Sequence, residues 1–173
     1  MSNLLYNEVP GYYKDQYKEY CISNDKEIKG FQGEYRWLSN FPNCQILFNG
    51  VEYKCPEAAY QAQKIIPEQR EEFGVLNGSQ SKKFWKQDRL IKLYAPEQWD
   101  KVKLDIMKGI TFEKYYRNLN LRTLLLTTND RYLEESNMWH DNYFGVCYCN
   151  KCKDKEKFNN LGKILMKVRE FWK

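Results

Sequence analysis

The sequence predicts a helix-rich α+β domain carrying one small β-hairpin. Three observations lead there. Apolar residues recur at helical spacing over most of the chain beyond Pro56. A short apolar run, Gln45–Phe48, meets the turn dipeptide Asn49-Gly50 and then Val51–Tyr53, which reads as a hairpin. The 173 residues fit one domain able to bury a core, and a 16% aromatic content is too high for a disordered chain.

Taken in order, residues 1–27 form a polar lead-in rich in Tyr (Tyr6, Tyr12, Tyr13, Tyr17, Tyr20), and the domain proper is expected over 28–173. From Ile28 to Tyr53 the signals are strand-like. Pro56 suits the first position of a helix, and Glu57 follows in the first turn, where the macrodipole favours an anion. Pro96 opens a second helix to about Asn118, with Trp99, Val102, Ile106 and Ile110 at helical spacing. Leu119–Leu126 is an apolar stretch ending at Thr127, Thr128, Asn129 and Asp130. The closing segment, Asn159–Trp172, puts Leu161, Ile164, Leu165, Val168, Phe171 and Trp172 on one stripe opposite Lys163, Lys167 and Glu170. Neither a doubly wound pattern nor a GxGxxG or Walker loop is present.

Composition narrows the function classes. No segment reaches the apolar length of a membrane span, and Met1–Pro10 lacks the layout of a signal peptide, so a cytoplasmic protein with no membrane partner is expected. Its 6 Cys are then expected to be reduced. The net charge of +5 is unevenly spread: residues 82–117 and 151–173 each carry +5, while 1–81 carry −3 and 118–150 carry −2. Two basic helical segments can meet the phosphates of a nucleotide or nucleic acid, and equally make solvated lysine-rich faces.

Three clusters carry residue types suited to chemistry. Glu57, Gln61 and Lys64 fall within about 60° of arc on one helix face at 100° per residue, with Ala59, Ala62 and Ile66 behind them. An acid, an amide and an amine then stand together, though the same spacing serves an ordinary polar stripe. Glu134, Glu135, Ser136, Asn137, Met138, Trp139, His140 and Asp141 place carboxylates, an indole and the chain's single His in a turn-like stretch. Such a loop binds ligands or merely caps backbone groups. Cys149 and Cys152 have zinc-ligand spacing, and Cys147 or His140 could complete a site; without a second CxxC pair, reduced structural thiols and no metal are expected.

These pieces occur in an order that resembles the NADAR (YbiA-like) family. Phe31-x-Gly33-Glu34-Tyr35-Arg36-Trp37-Leu38-Ser39-Asn40-Phe41 looks like its opening signature, and Glu57, Gln61 and Lys64 match its helix motif. Trp99 through Met107, with Lys114 and Tyr115, resembles its central helix. Leu133, Glu135, Asn137, Trp139, Asp141 and Gly145 are similar to its acidic loop, and Asn159, Leu161, Gly162, Lys163, Leu165, Met166 and Arg169 to its closing helix. The chain departs from the pattern at Trp85, at Tyr143-Phe144-Gly145, and in the Tyr-rich arm.

The resemblance implies an N-glycosidase, without cofactor, that cleaves the bond between ribose C1 and a nitrogen base. It implies a lysine forming a Schiff base with opened ribose, and Lys64 is the matching position. Glu57 is then its acid/base partner, and Glu135 and Asp141 are further candidates for sugar contacts or water activation. Arg36, Trp37, Ser39, Asn40, Phe41, Gln61, Trp139 and Gly145 are expected to hold the substrate. That substrate is ADP-ribose on guanine, free or in nucleic acid, or else a ribosylamino-pyrimidine phosphate of riboflavin synthesis. Outside enzymes, the same pocket suits a non-catalytic ADP-ribose-binding module, and the cysteines a small zinc protein.

Overall fold

The computed structural model describes residues 20–173. Most of the Tyr-rich arm expected over 1–27 therefore lies outside the described residues. In chain order the elements are β1 (Ile22–Ser23), β2 (Glu27–Lys29), β3 (Ile46–Phe48), β4 (Val51–Tyr53), α1 (Pro56–Ala62), α2 (Gly78–Phe84) and α3 (Pro96–Arg117). There follow α4 (Leu119–Thr127), β5 (Tyr132–Glu134), β6 (Ser136–Asn137), β7 (Val146–Cys147) and α5 (Asn160–Trp172). Short 3₁₀ turns cover Gly33–Leu38, Pro67–Phe73 and Asn150–Cys152. This is the α+β class expected, and no described helix is long and apolar enough to cross a membrane.

Packing divides the chain into two compact units, one made of residues up to 39 with 125–173, the other of residues 40–124. In the second, β3 and β4 form the expected hairpin, antiparallel with Phe48 opposite Val51. Asn49 (φ 50°) and Gly50 (φ 80°) both sit in the left-handed region that a two-residue turn of matching twist requires. Helix α1 packs on α2 and α3, and α3 also covers β3. The buried side chains of α3 (Met107, Ile110, Thr111, Lys114 and Tyr115) repeat at three and four residues, one stripe of a straight helix.

In the other unit β2 lies antiparallel to β1 and parallel to β5, with Ile28 beside Leu133. Helix α5 packs on β5. It comes close because Gly162 carries no Cβ: one placed there would collide with the Leu133 carbonyl oxygen and with the Asn159 amide. Buried Asn159 (φ 49°) secures the same junction by donating from Nδ2 to the Leu133 carbonyl at 2.9 Å and accepting from the Glu135 N–H at 3.2 Å.

Three expectations need correction. The stretch from Ile28 to Tyr53 is not strand throughout, because Gly33–Leu38 winds into a 3₁₀ turn closed when both the Ser39 N–H and its hydroxyl donate to the Arg36 carbonyl. Glu134–Asn137, read as part of a loop, contains the end of β5 and all of β6; β5 pairs with the distant β2, and β6 with β7 across the intervening loop. Phe171 is 66% exposed rather than on the buried stripe of α5, since at 100° per residue it falls at the edge of the face that Leu161, Leu165 and Val168 bury.

Candidate active site

Helix α1 owes its start to Pro56, and to the Asn40 carbonyl, which accepts the Glu57 N–H at 2.9 Å in place of a capping side chain. Asn40 is itself held, its Nδ2 donating to Met107 Sδ at 3.3 Å. Every residue of α1 is buried, Glu57 and Gln61 included, so the polar face is no solvent-facing stripe. Gln61 Nε2 donates to Glu57 Oε1 at 2.7 Å, one helical turn apart. Gln61 Oε1 is buried and has no hydrogen-bond partner among the described residues, an acceptor whose desolvation is uncompensated. Lys82 Nζ on α2 stands 3.9 Å from Glu57 Oε1 and 4.7 Å from the centroid of the Phe41 ring. Phe41 reaches this place because Gly78 leaves room: a Cβ there would lie 2.7 Å from its Cδ1.

Lys64 follows two residues after α1, in a turn whose N–H still bonds to the Gln61 carbonyl at 3.2 Å. Its own carbonyl accepts the Leu93 N–H at 2.9 Å, and Ile65 bridges to Lys92, so its backbone is fastened from both sides. The amine lies in an aromatic enclosure, 4.2 Å from the Trp85 ring centroid, 5.3 Å from Tyr60 and 5.5 Å from Trp99. Trp99 in turn packs on Tyr60 at 5.2 Å and on Tyr94 at 5.8 Å.

Rings attract an ammonium through their quadrupoles, but here they also exclude water, and exclusion wins. Burial pulls the Lys64 amine down to about 8; Glu57 opposes this, and the positive charges of Lys82, Lys86 and Lys92 assist it. At pH 7 roughly a tenth of such amines are neutral, against about one in three thousand for an ordinary lysine. A neutral primary amine is equipped for nucleophilic attack on an electrophilic carbon.

The rest of the expected site residues fall elsewhere. Asn40, Phe41, Glu57, Gln61 and Lys64 belong to one unit, whereas Arg36, Trp37, Ser39, Glu135, Trp139, Asp141 and Gly145 belong to the other. There Asp141 Oδ1 accepts the N–H groups of Tyr143 at 3.0 Å and Phe144 at 2.9 Å. Asn137 accepts from the Trp139 and Asp141 N–H groups and donates to the Asp141 carbonyl. These bonds shape the loop, leaving Trp139 half-exposed at its tip. Gly145 is a close-approach glycine, since a Cβ would meet the Glu135 carbonyl and stand 2.6 Å from Asn137 Nδ2. Arg36 is exposed. Glu134 is a buried carboxylate, as is Oε2 of Glu135, Glu134 accepting from Ser136 Oγ at 2.8 Å and Tyr148 OH at 2.7 Å.

The family model for the NADAR domain matches residues 12–172. The chain belongs to the NADAR family. Relatives of this NADAR chain include the N-glycosidase YbiA of Escherichia coli, 31% identical over 79% of this chain and 81% of that protein. A riboflavin biosynthesis protein of Vibrio vulnificus is 30% identical over 78% of this chain, and an N-glycosidase of Nostoc punctiforme 40% identical over 42% of it. The matches span 35% of the Vibrio protein and 42% of the Nostoc one, so the chain accounts for well under half of either. Among solved structures, that of Escherichia coli YbiA superposes with a TM-score of 0.66 at 27% identity, covering 87% of each chain.

Sequence reasoning missed the walls of the Lys64 enclosure in this NADAR domain. Trp85 stood out only as a departure from the family pattern, and Trp99 only as an apolar helix position and the start of the central-helix motif. Their convergence on one amine is tertiary, and the available signal was an unusual density of Trp and Lys over residues 82–99.

Proposed function

We propose that this chain is an N-glycosidase that cleaves the bond between ribose C1 and a nitrogen base, with Lys64 as nucleophile. The observation that supports this best is the Lys64 amine, lowered to about 8 inside three aromatic rings. The neutral Nζ donates its lone pair to C1. The C1–N bond breaks with its electrons on the base, which takes a proton supplied through Glu57. Opening of the sugar converts the adduct to an imine between Nζ and C1, and water hydrolyses it, returning the amine and releasing the ribose fragment. Glu57 also steadies positive charge on the sugar, while Gln61 Oε1 offers its vacant acceptor to a sugar hydroxyl.

The substrate proposed is ADP-ribose joined to guanine, as a nucleoside or within nucleic acid. Lys82, Lys86 and Lys92, whose charges reach Lys64, support a ligand bearing phosphates near the reacting carbon. A second reading, a ribosylamino-pyrimidine phosphate, is favoured by the riboflavin biosynthesis relative. A binder without turnover would leave either compound intact.

Borohydride added during turnover tests the mechanism. It is expected to trap protein plus the ribose-containing fragment by mass, with free base released. Lys64→Arg keeps the charge but has no amine able to form the imine, so it is expected to bind ligand and neither trap nor turn over. Turnover near the wild-type rate by Lys64→Arg would remove Lys64 as nucleophile. Running both substrate classes side by side decides between guanine and the pyrimidine.

A further inference from the structure

We propose that His140, Cys147, Cys149 and Cys152 form a zinc site of the Cys₃His type. The ligand atoms of these four residues all lie within 4.8 Å of one another. His140 Nδ1 is 3.1 Å from Cys149 Sγ and 3.6 Å from Cys152 Sγ. Zinc bonds of about 2.3 Å to sulfur and about 2.0 Å to nitrogen set tetrahedral ligand atoms roughly 3.5–3.8 Å apart. The four atoms need to move only by fractions of an ångström to about one ångström to reach that arrangement.

The backbone is shaped for the same purpose. Residues Asn150–Cys152 close a 3₁₀ turn, the Cys152 N–H donating to the Cys149 carbonyl at 2.9 Å, and this turn presents Cys149 and Cys152 side by side. His140 adopts φ 68°, a region that residues with side chains seldom occupy, and in that conformation its ring faces the sulfurs. The parallel pairing of β6 with β7, Asn137 beside Cys147, brings the His140 loop to the cysteines. Because Asn137 and Asp141 fix that loop, the imidazole is placed in advance.

Four protein ligands leave no open position, so the ion is a structural clamp rather than a Lewis acid in the reaction. It ties the loop carrying Trp139 and Asp141 to the segment ending at Cys152. A cavity of about 410 Å³, walled in part by Tyr20, Met138, His140, Tyr148 and Cys149, gives an ion access from solvent. The proposal departs from the expectation of no metal, drawn from the lack of a second CxxC pair, because the fold brings Cys147 and His140 to the pair.

The test uses the full chain without a His tag, purified under reducing conditions without chelator. Elemental analysis is expected to give close to one zinc per chain, and cobalt substituted for zinc to show the intense visible bands of a tetrahedral thiolate site. Cys152→Ser is expected to lose the metal. Should that variant fail to fold, His140→Ala, altered at an exposed position, is expected to bind zinc at least tenfold more weakly while remaining folded. Less than a tenth of a zinc per chain, with no rise in melting temperature when zinc is added to the reduced protein, would overturn the proposal. A disulfide among the three cysteines in freshly prepared protein would overturn it equally.

Discussion

The segment from Pro56 to Lys64 and the segment from Asn137 to Cys152 both gather reactive side chains, but they do so by opposite means. The first is local. One helix turn sets Gln61 on Glu57, and the turn that follows carries Lys64 within reach of Tyr60. The second is assembled: β6 meets β7 across eight intervening residues, and His140 meets Cys149 and Cys152 through a loop shaped by its own polar side chains. Around Lys64 the neighbours withhold water; around the cysteines the fold brings four potential ligand atoms within 4.8 Å of one another. An amine becomes reactive when its charged form is disfavoured, whereas a metal site needs its ligand atoms set at matching distances.

The largest effect that can break this contrast belongs to Glu57→Gln. It keeps the side chain's shape and removes proton transfer, so kcat is expected to fall on the order of 10² to 10⁴. The pH dependence carries the sharper information. In the native protein kcat/KM is expected to rise with pH as Lys64 loses its proton and to level off above about 8. Glu57 raises the Lys64 value, so removing its charge shifts the limb to lower pH. A rate that falls with the limb unmoved would show that Glu57 does not act on the amine electrostatically.

Glycine substitutions sharpen the comparison at the level of packing. Gly162→Ala drives a methyl group into the Leu133 carbonyl at the α5–β5 contact and is expected to cost about 1–3 kcal/mol in urea denaturation. Gly50→Ala meets open space and bears only the strain of its positive φ, about 1–2 kcal/mol. If Gly50→Ala proves much the more damaging of the two, the close helix–strand approach is not what requires Gly162.

Asp141→Asn gives the smallest and most diagnostic effect. Asp141→Ala leaves the Tyr143 and Phe144 N–H groups without their acceptor and is expected to destabilise by about 1–3 kcal/mol. Asp141→Asn keeps an oxygen at that position, so stability and turnover are both expected to stay near native. Loss of turnover in a stable Asp141→Asn protein would move Asp141 from shaping the loop to performing chemistry.

What the sequence by itself determined follows from interactions between near neighbours. Pro56 and Pro96 start helices because a fixed φ and a missing N–H suit the first turn. Asn49-Gly50 makes a hairpin because both residues tolerate positive φ. Glu57, Gln61 and Lys64 were legible as a group for the same reason, helical periodicity. Only the tertiary structure decided which groups would surround them. Trp85 and Trp99 reach Lys64 from α2's end and from α3, and no period in the chain encodes that meeting. The parallel pairings of β2 with β5 and of β6 with β7 were equally silent, since strands of two or three residues show no alternation to read. His140 and Cys147 joined the CxxC pair through such a pairing. Whether an amine is neutral or a thiol is a ligand depends on what excludes water and which charges stand nearby, and those are properties of the fold.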